Sequence, residues 1–219
     1  MIGKKLTIMV IGAHPDDIEL SMGGTLIKYR EQGHNLYMVI ATDGRRGGIP
    51  AGNELVERRR KEAQAAAAHI GVEPVFLDFE DGRLIYDRTS YEKVIGVYNQ
   101  VKPDIVFTHD PNDYHEDHRT ISKLVTDTSW VPVFFSDTCV GFDPQYYVDI
   151  TNQFELKKKM VMEHVSQIYG SPEFSIITSI EIQNSFRGMQ CWNKEIKYAE
   201  AFRLCPLLGW VNAYELLPS

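Results

Sequence analysis

The chain has 219 residues, 43% hydrophobic and 24% charged, with 23 basic against 30 acidic side chains and a formal charge of −7. That composition excludes a disordered or fibrous chain and fits one large α/β domain, while the acid excess argues against a surface built for a phosphate backbone. Three cysteines, Cys139, Cys191 and Cys205, form no CxxC pair, so neither a disulfide framework nor a cysteine zinc site is expected.

Leu6 to Gly12 is a continuous apolar run of strand length, as expected for a strand covered on both faces. A polar turn follows, then a helical pattern from about Leu20 to Gln32, stopped by Gly33. Leu36 to Thr42 is a second buried-type strand. The glycine-rich loop Asp43 to Gly48 leads to a helix from Glu54 to Ile70, closed by Gly71. Pro74 to Phe79 reads as a third strand, Tyr91 to Val101 as a helix and Asp104 to Thr108 as a fourth strand. Another helix begins near Asp117.

This alternation predicts a doubly wound, mainly parallel, Rossmann-like sheet with helices on both faces. Beyond residue 130 the pattern loosens. Val131 to Phe135, Tyr146 to Ile150 and Ile176 to Ile182 read as strands, and Phe154 to Ile168 and Ser185 to Leu204 as helices. No repeat or linker divides the chain. A single domain over 1–219 is expected, regular over about 5–130 and less regular over 131–219.

Nothing reads as an address. The apolar run after Lys4-Lys5 lacks a cleavage site, and no apolar stretch reaches the roughly 18 residues that span a bilayer. A cytoplasmic chain with neither membrane nor nucleic-acid partner is expected.

Two loops at strand ends carry the chemistry. Ala13-His-Pro-Asp-Asp-Ile-Glu19 follows the first strand, and His109-Asp-Pro-Asn-Asp-Tyr-His-Glu-Asp-His118 follows the fourth. Ligand sites of open α/β sheets lie at the carboxyl ends of strands where the strand order reverses, so these segments are expected to meet. Four of the seven histidines (His14, His109, His115, His118) fall there, with seven acids. His14, Asp17 and His118 would supply the three ligands of a catalytic zinc site, and iron(II) would accept the same set. Asp16 then lies beside the metal as a base, although spacing does not decide which of Asp16 and Asp17 is ligand and which is base. The plainer reading makes Pro15-Asp16-Asp17 a turn and helix start, and Asp117 an N-cap.

Other features are weaker. Gly23-Gly24 is no GxGxxG fingerprint and fits close packing inside a helix. No GxxxxGK[ST] or GxSxG is present. Arg45 and Arg46 face the same sheet edge, where they could hold an anionic or hydroxylated substrate or simply be solvated. Arg58-Arg59-Arg60-Lys61 reads as a helix face. His34 and His69 read as partners of helix C-termini, and His164 as packing.

With the two clusters in view, the chain resembles the PIG-L/LmbE-like N-acetylglucosaminyl deacetylases. The resemblance rests on Ala-His-Pro-Asp-Asp-Ile-Glu with Met22-Gly-Gly-Thr25, and on His115-Glu-Asp-His-Arg119. It extends to Thr42-Asp-Gly44, Arg59-x-x-Glu62, Val148-Asp-Ile-Thr151, Lys157 and His164-Val-Ser-Gln167, with a fainter match at Ala199-Glu-Ala-Phe202. It covers residue 8 to about 168, and only the first two motifs are specific. Glu116 stands at a spacer position where the family often has proline. The resemblance implies a zinc-dependent hydrolase removing acetyl from an N-acetylated amino sugar, a small-molecule partner and a homo-oligomer. It also implies His14, Asp17 and His118 as ligands, Asp16 as base, a protonated His115 as oxyanion stabiliser oriented by Asp117, and Arg59 in contact with substrate. Rival readings are an amidase for a larger acyl or thiol conjugate, a nucleotide-binding module, and a silent assembly subunit. The glycine pattern disfavours the second and the intact ligand set the third.

Overall fold

Seven strands form one sheet in the order β3-β2-β1-β4-β5-β7-β6. The computed structural model describes residues 5–49, 51–168, 175–206 and 215–218. Five strands are mutually parallel: β1 (Thr7–Gly12), β2 (Asn35–Thr42), β3 (Val75–Phe79), β4 (Ile105–Thr108) and β5 (Val133–Ser136). The apolar runs anticipated for β1 and β4 are buried almost throughout, because helices cover both faces. β6 (Tyr146–Asp149) lies at the far edge. β7 (Ala199–Leu204) enters between β5 and β6, antiparallel to both.

Two apolar layers flank the sheet. One joins Ile8, Val10, Met38 and Phe107 to side chains of α1 (Asp17–Glu31), α2 (Asn53–Ala68) and α5 (Phe154–Met162). The other joins Met9, Ile11, Val39 and Val106 to α3 (Arg88–Val101) and α4 (Glu116–Thr128). The expected doubly wound architecture is present, with the reversal of strand order between β1 and β4. Among the described residues, no helix is long and apolar enough to cross a membrane.

The C-terminal third departs from expectation. Ile176 to Ile182 is no strand: it opens α7 (Ile176–Gln190), whose N-cap Ser175 accepts from the Thr178 amide. The β-branched run there has strand propensity, but the cap and packing against β7 prevail. The helix expected over 185–204 ends at Gln190, and its second half is β7. The helix expected over 154–168 divides into α5 and α6 (Val165–Ile168), with Glu163 and His164 between them.

Helix α1 starts three residues earlier than anticipated and is broken at Met22 (φ −147°, ψ 15°). Its restart is capped by a buried carboxylate: Gly24 and Thr25 amides donate to Glu200 at 2.9 and 2.7 Å. Gly24 also lies against Ile150, where a Cβ would come within 2.7 Å of the Ile150 side chain. Gly24→Ala should therefore lower unfolding free energy by about 1–3 kcal/mol, read by denaturant melts.

Candidate active site

The turn after β1 is closed by its own side chain. The His14 amide donates to Asp17 Oδ2 at 2.6 Å, and this aims the Asp17 carboxylate back at the His14 ring. Asp17 Oδ2 stands 3.2 Å from His14 Nδ1 and 3.3 Å from His118 Nε2, and the two ring nitrogens are 3.1 Å apart. Ligand atoms around a tetrahedral zinc with bonds of about 2.0–2.1 Å stand about 3.3 Å from one another. The triangle thus has the edges such an ion needs, and its two imidazoles and one carboxylate suit zinc or iron(II).

The triangle is oriented from behind. His118 Nδ1 lies 3.1 Å from Asp113 Oδ1. His14 Nε2 lies 3.2 Å from Asp81 Oδ1 and 3.3 Å from Asp117 Oδ2. Carboxylates in this position fix ring tautomer and orientation. His109 stacks on His118 with centroids 3.8 Å apart, and its Nε2 accepts the Ala13 amide at 3.0 Å.

Charge follows this geometry. Burial opposes ionisation of Asp17, yet His118, His109 and His14 together hold its carboxyl well below the usual range. Burial likewise opposes a proton on His118, but Asp17 and Asp113 push it up to about 9. His14 is raised well above its ordinary value by Asp17, Asp117 and Asp81, against burial.

Asp16 is set apart. Its backbone is strained (φ 147°), which turns its side chain away from the triangle toward Arg59, whose Nη2 lies 2.9 Å from Oδ1. Burial raises the Asp16 carboxyl; Arg59 opposes this in part and Asp17 adds to it. Asp17, not Asp16, meets the imidazoles. The Arg59 guanidinium is itself buried and also donates to the Pro15 and Gly44 carbonyls. It lines the cavity while holding Asp16 in place. Gly44, at φ 66°, leaves room for it: a Cβ there would come within 2.8 Å of Arg59 Nη1.

His115 stands beside the triangle, its ring centroid 4.6 Å from that of His14 and 4.9 Å from that of His118. Burial first, and then the neighbouring His14 and His118, lower its pKa. Asp117 orients it through the backbone, its amide donating to His115 Nδ1 at 3.2 Å, which leaves the ring proton on Nε2. The Asp117 carboxylate is occupied elsewhere, accepting from the Gly82 and Leu84 amides. The N-cap of α4 is His115, not Asp117.

These groups line a cavity of about 430 Å³ that includes Asp16, Asp17, His14, His115, His118 and Arg59. Arg46 reaches it; Arg45 does not, its guanidinium being held by Asp43 at 2.7–2.8 Å. One wall is α7, through Ile176, Ser179, Ile180 and Gln183. His164, expected as packing, is buried 3.4 Å from Glu19 Oε2. His34 accepts the Leu6 amide, and His69 pairs with Glu163 at 2.8 Å.

Sequence reasoning gave no role to Asp81, Asp113 or the α7 wall. A signal existed for Asp81, which directly follows the residues after β3 at the same sheet edge. None existed for α7 once its first turn was read as strand.

Comparison with known proteins agrees with this picture. The family profile for PIG-L, GlcNAc-PI de-N-acetylase, matches residues 9–129, spanning both strand-end clusters. Diacetylchitobiose deacetylase of Thermococcus kodakarensis is 32% identical over 185 residues, covering 73% of this chain and 69% of that protein. The structure of N,N'-diacetylchitobiose deacetylase from Pyrococcus horikoshii superposes with a TM-score of 0.82 at 27% identity, over 96% of this chain and 88% of that one. A 4-oxalmesaconate hydratase of Pseudomonas putida is 30% identical over 119 residues, half of this chain and 46% of its own length. Fold, cluster and sequence together make the chain a member of the PIG-L deacetylase family.

Proposed function

We propose that this protein is a zinc-dependent hydrolase that removes the acetyl group from an N-acetylated amino sugar of the N-acetylglucosamine type. The observation that carries the reading is the His14–Asp17–His118 triangle with a separate carboxylate, Asp16, beside it in one cavity. His14, Asp17 and His118 would hold the ion. When bound it supplies Lewis acidity and lowers the pKa of water. Asp16 accepts the proton of the attacking water and returns it to the departing amine, releasing acetate. His115 Nε2–H donates to the carbonyl oxygen as charge develops there, and Asp117 keeps that tautomer in place. Arg59 fixes Asp16, and Arg46, which lines the cavity where Arg45 does not, is the member of the Arg45–Arg46 pair that meets the substrate.

A small-molecule substrate, a cytoplasmic setting and a homo-oligomer belong to the same proposal. The charge of −7 and three free cysteines support the first two, and the exposed apolar Ile182, Phe186, Met189 and Trp192 support the third.

The test is acetate and amine release from N,N'-diacetylchitobiose and N-acetylglucosamine. Release should stop with chelator and return with zinc, iron(II) being run in parallel. His118→Ala should lose the metal and slow release on the order of a hundredfold or more. A His118→Ala protein that keeps its metal and full activity sinks the ligand assignment. Hydration of 4-oxalmesaconate without acetate release would move the chain to hydratase chemistry.

A further inference from the structure

The cavity lies along the carboxyl ends of the strands, and the strand order decides which side chains stand on each side of the triangle. In the order β2-β1-β4-β5, His14, Asp17 and His118 come from the two central loops. Arg46 and Gly47 reach the cavity from the loop after β2, and Arg59 from the helix that follows it. Tyr114, Thr138 and Cys139 reach it from the loops after β4 and β5. Asp16 leans toward the β2 side, where Arg59 Nη2 holds its Oδ1 at 2.9 Å.

The proposed reaction gives the two sides different occupants. An amide is planar, and its carbon bears an oxygen, a nitrogen and an alkyl group that point apart. The oxygen faces the triangle and His115, and the nitrogen lies within reach of Asp16, which returns the proton to it. The alkyl group therefore extends the other way, toward the loops after β4 and β5.

That side is stiff and carries an aromatic face. Tyr114 is 59% exposed, yet its ring packs edge to face with His115 and His118, with centroids 6.0 and 5.8 Å apart. Arg119 Nη1 pins the backbone beneath it, donating to the Asp113 and Tyr114 carbonyls at 2.8 and 2.6 Å. The loop after β5 is tied as firmly. Asp137 Oδ1 accepts the Thr138 amide at 2.8 Å and the Arg187 Nη2 of α7 at 2.9 Å. An open aromatic ring on a rigid loop, next to the reacting atoms, offers apolar area and a fixed boundary.

We infer that Tyr114, Thr138 and Cys139 form the acyl pocket, and that the Tyr114 ring sets the length of acyl chain removed. The inference rests on the proposed hydrolysis and on Asp16 as its base. An acetyl methyl packs against the ring, whereas a butyryl chain, two carbons longer, has to displace it. One methylene in a pocket of this kind is worth about 10–200-fold in discrimination.

The test supplies the full chain with zinc and offers acetyl and butyryl groups, each carried on glucosamine and on chitobiose. Amine release gives kcat/KM for every probe. The wild type should favour acetyl by about tenfold or more. Tyr114→Ala should lower that ratio by about tenfold or more through a gain on the butyryl probes, and Tyr114→Trp should raise it. Tyr114→Phe should keep the wild-type ratio, because the boundary is the ring and not the hydroxyl. Arg46→Ala, on the other side, should lower kcat/KM for both acyl groups in the same proportion. A ratio that neither Tyr114→Ala nor Tyr114→Trp moves, in a wild type that releases acetate, overturns the inference and leaves the proposed function standing. So does a ratio that moves with Arg46→Ala instead. A wild type that releases amine from none of the four probes overturns the proposed function, and the inference with it.

Discussion

Asp16→Asn should retain its bound metal and lose about 10²–10⁴-fold in kcat, the usual contribution of a positioned general base. The expectation follows from the division of labour between neighbouring carboxylates. Asp17 Oδ2 touches three imidazoles, whereas Asp16 Oδ1 is given to Arg59. Removing the charge at 16 leaves the triangle intact and abolishes the proton acceptor. Asp17→Asn should do the reverse, releasing the metal along with activity. Metal content and initial rates of both variants, measured together, decide the matter: metal loss in Asp16→Asn with retention in Asp17→Asn would exchange the two roles. Because Asn keeps an oxygen that can accept from Arg59, folding of the Asp16 variant should be checked by its melting curve rather than assumed.

Lys157→Met should lower unfolding free energy by about 3–5 kcal/mol, the cost of leaving one member of a buried pair uncompensated. For a chain of this length that is a fall in Tm of about 6–20 °C. Lys157 Nζ is fully buried, 2.7 Å from Glu200 Oε1 and 2.9 Å from Asn184 Oδ1. Glu200 in turn holds the amides where α1 restarts after Met22. Without the ammonium, Glu200 is a buried charge with only two amides and no counter-ion. The double variant Lys157→Met/Glu200→Gln should recover part of the loss, and the double-mutant cycle isolates the pair's coupling. A single-variant cost below about 1 kcal/mol would mean that the network does not anchor the break in α1.

How legible the molecule was depended on how local each signal is. Both strand-end clusters could be read because a parallel sheet brings the carboxyl ends of β1 and β4 together whatever the side chains do. The separate aims of Asp16 and Asp17 could not, since they arise from one strained φ and from Arg59, 43 residues away. The Lys157–Glu200 pair was equally hidden. Nothing in the pattern of either segment announces a partner, and Glu200 was read as part of a helix that the structure replaces with β7. In α7 a β-branched run imitated a strand, and the Ser175 cap was the contrary sign. The downward push on the His115 pKa depends on burial and on His14 and His118 beside it, which only the assembled loops supply.

The insertion of β7 between β5 and β6 also bears on how the chain is made. Among the described residues β6 pairs in the sheet with β7 alone, and about fifty residues separate the end of one from the start of the other. At a synthesis rate of about 5–20 residues per second, β6 leaves the ribosome roughly 3–10 s before its partner exists. For that interval β5 is an open edge and β6 a loose strand, the kind of surface that holdase chaperones bind. The parallel half of the sheet can form early; closure waits for Ala199 to Leu204, and with it the burial of Lys157 against Glu200.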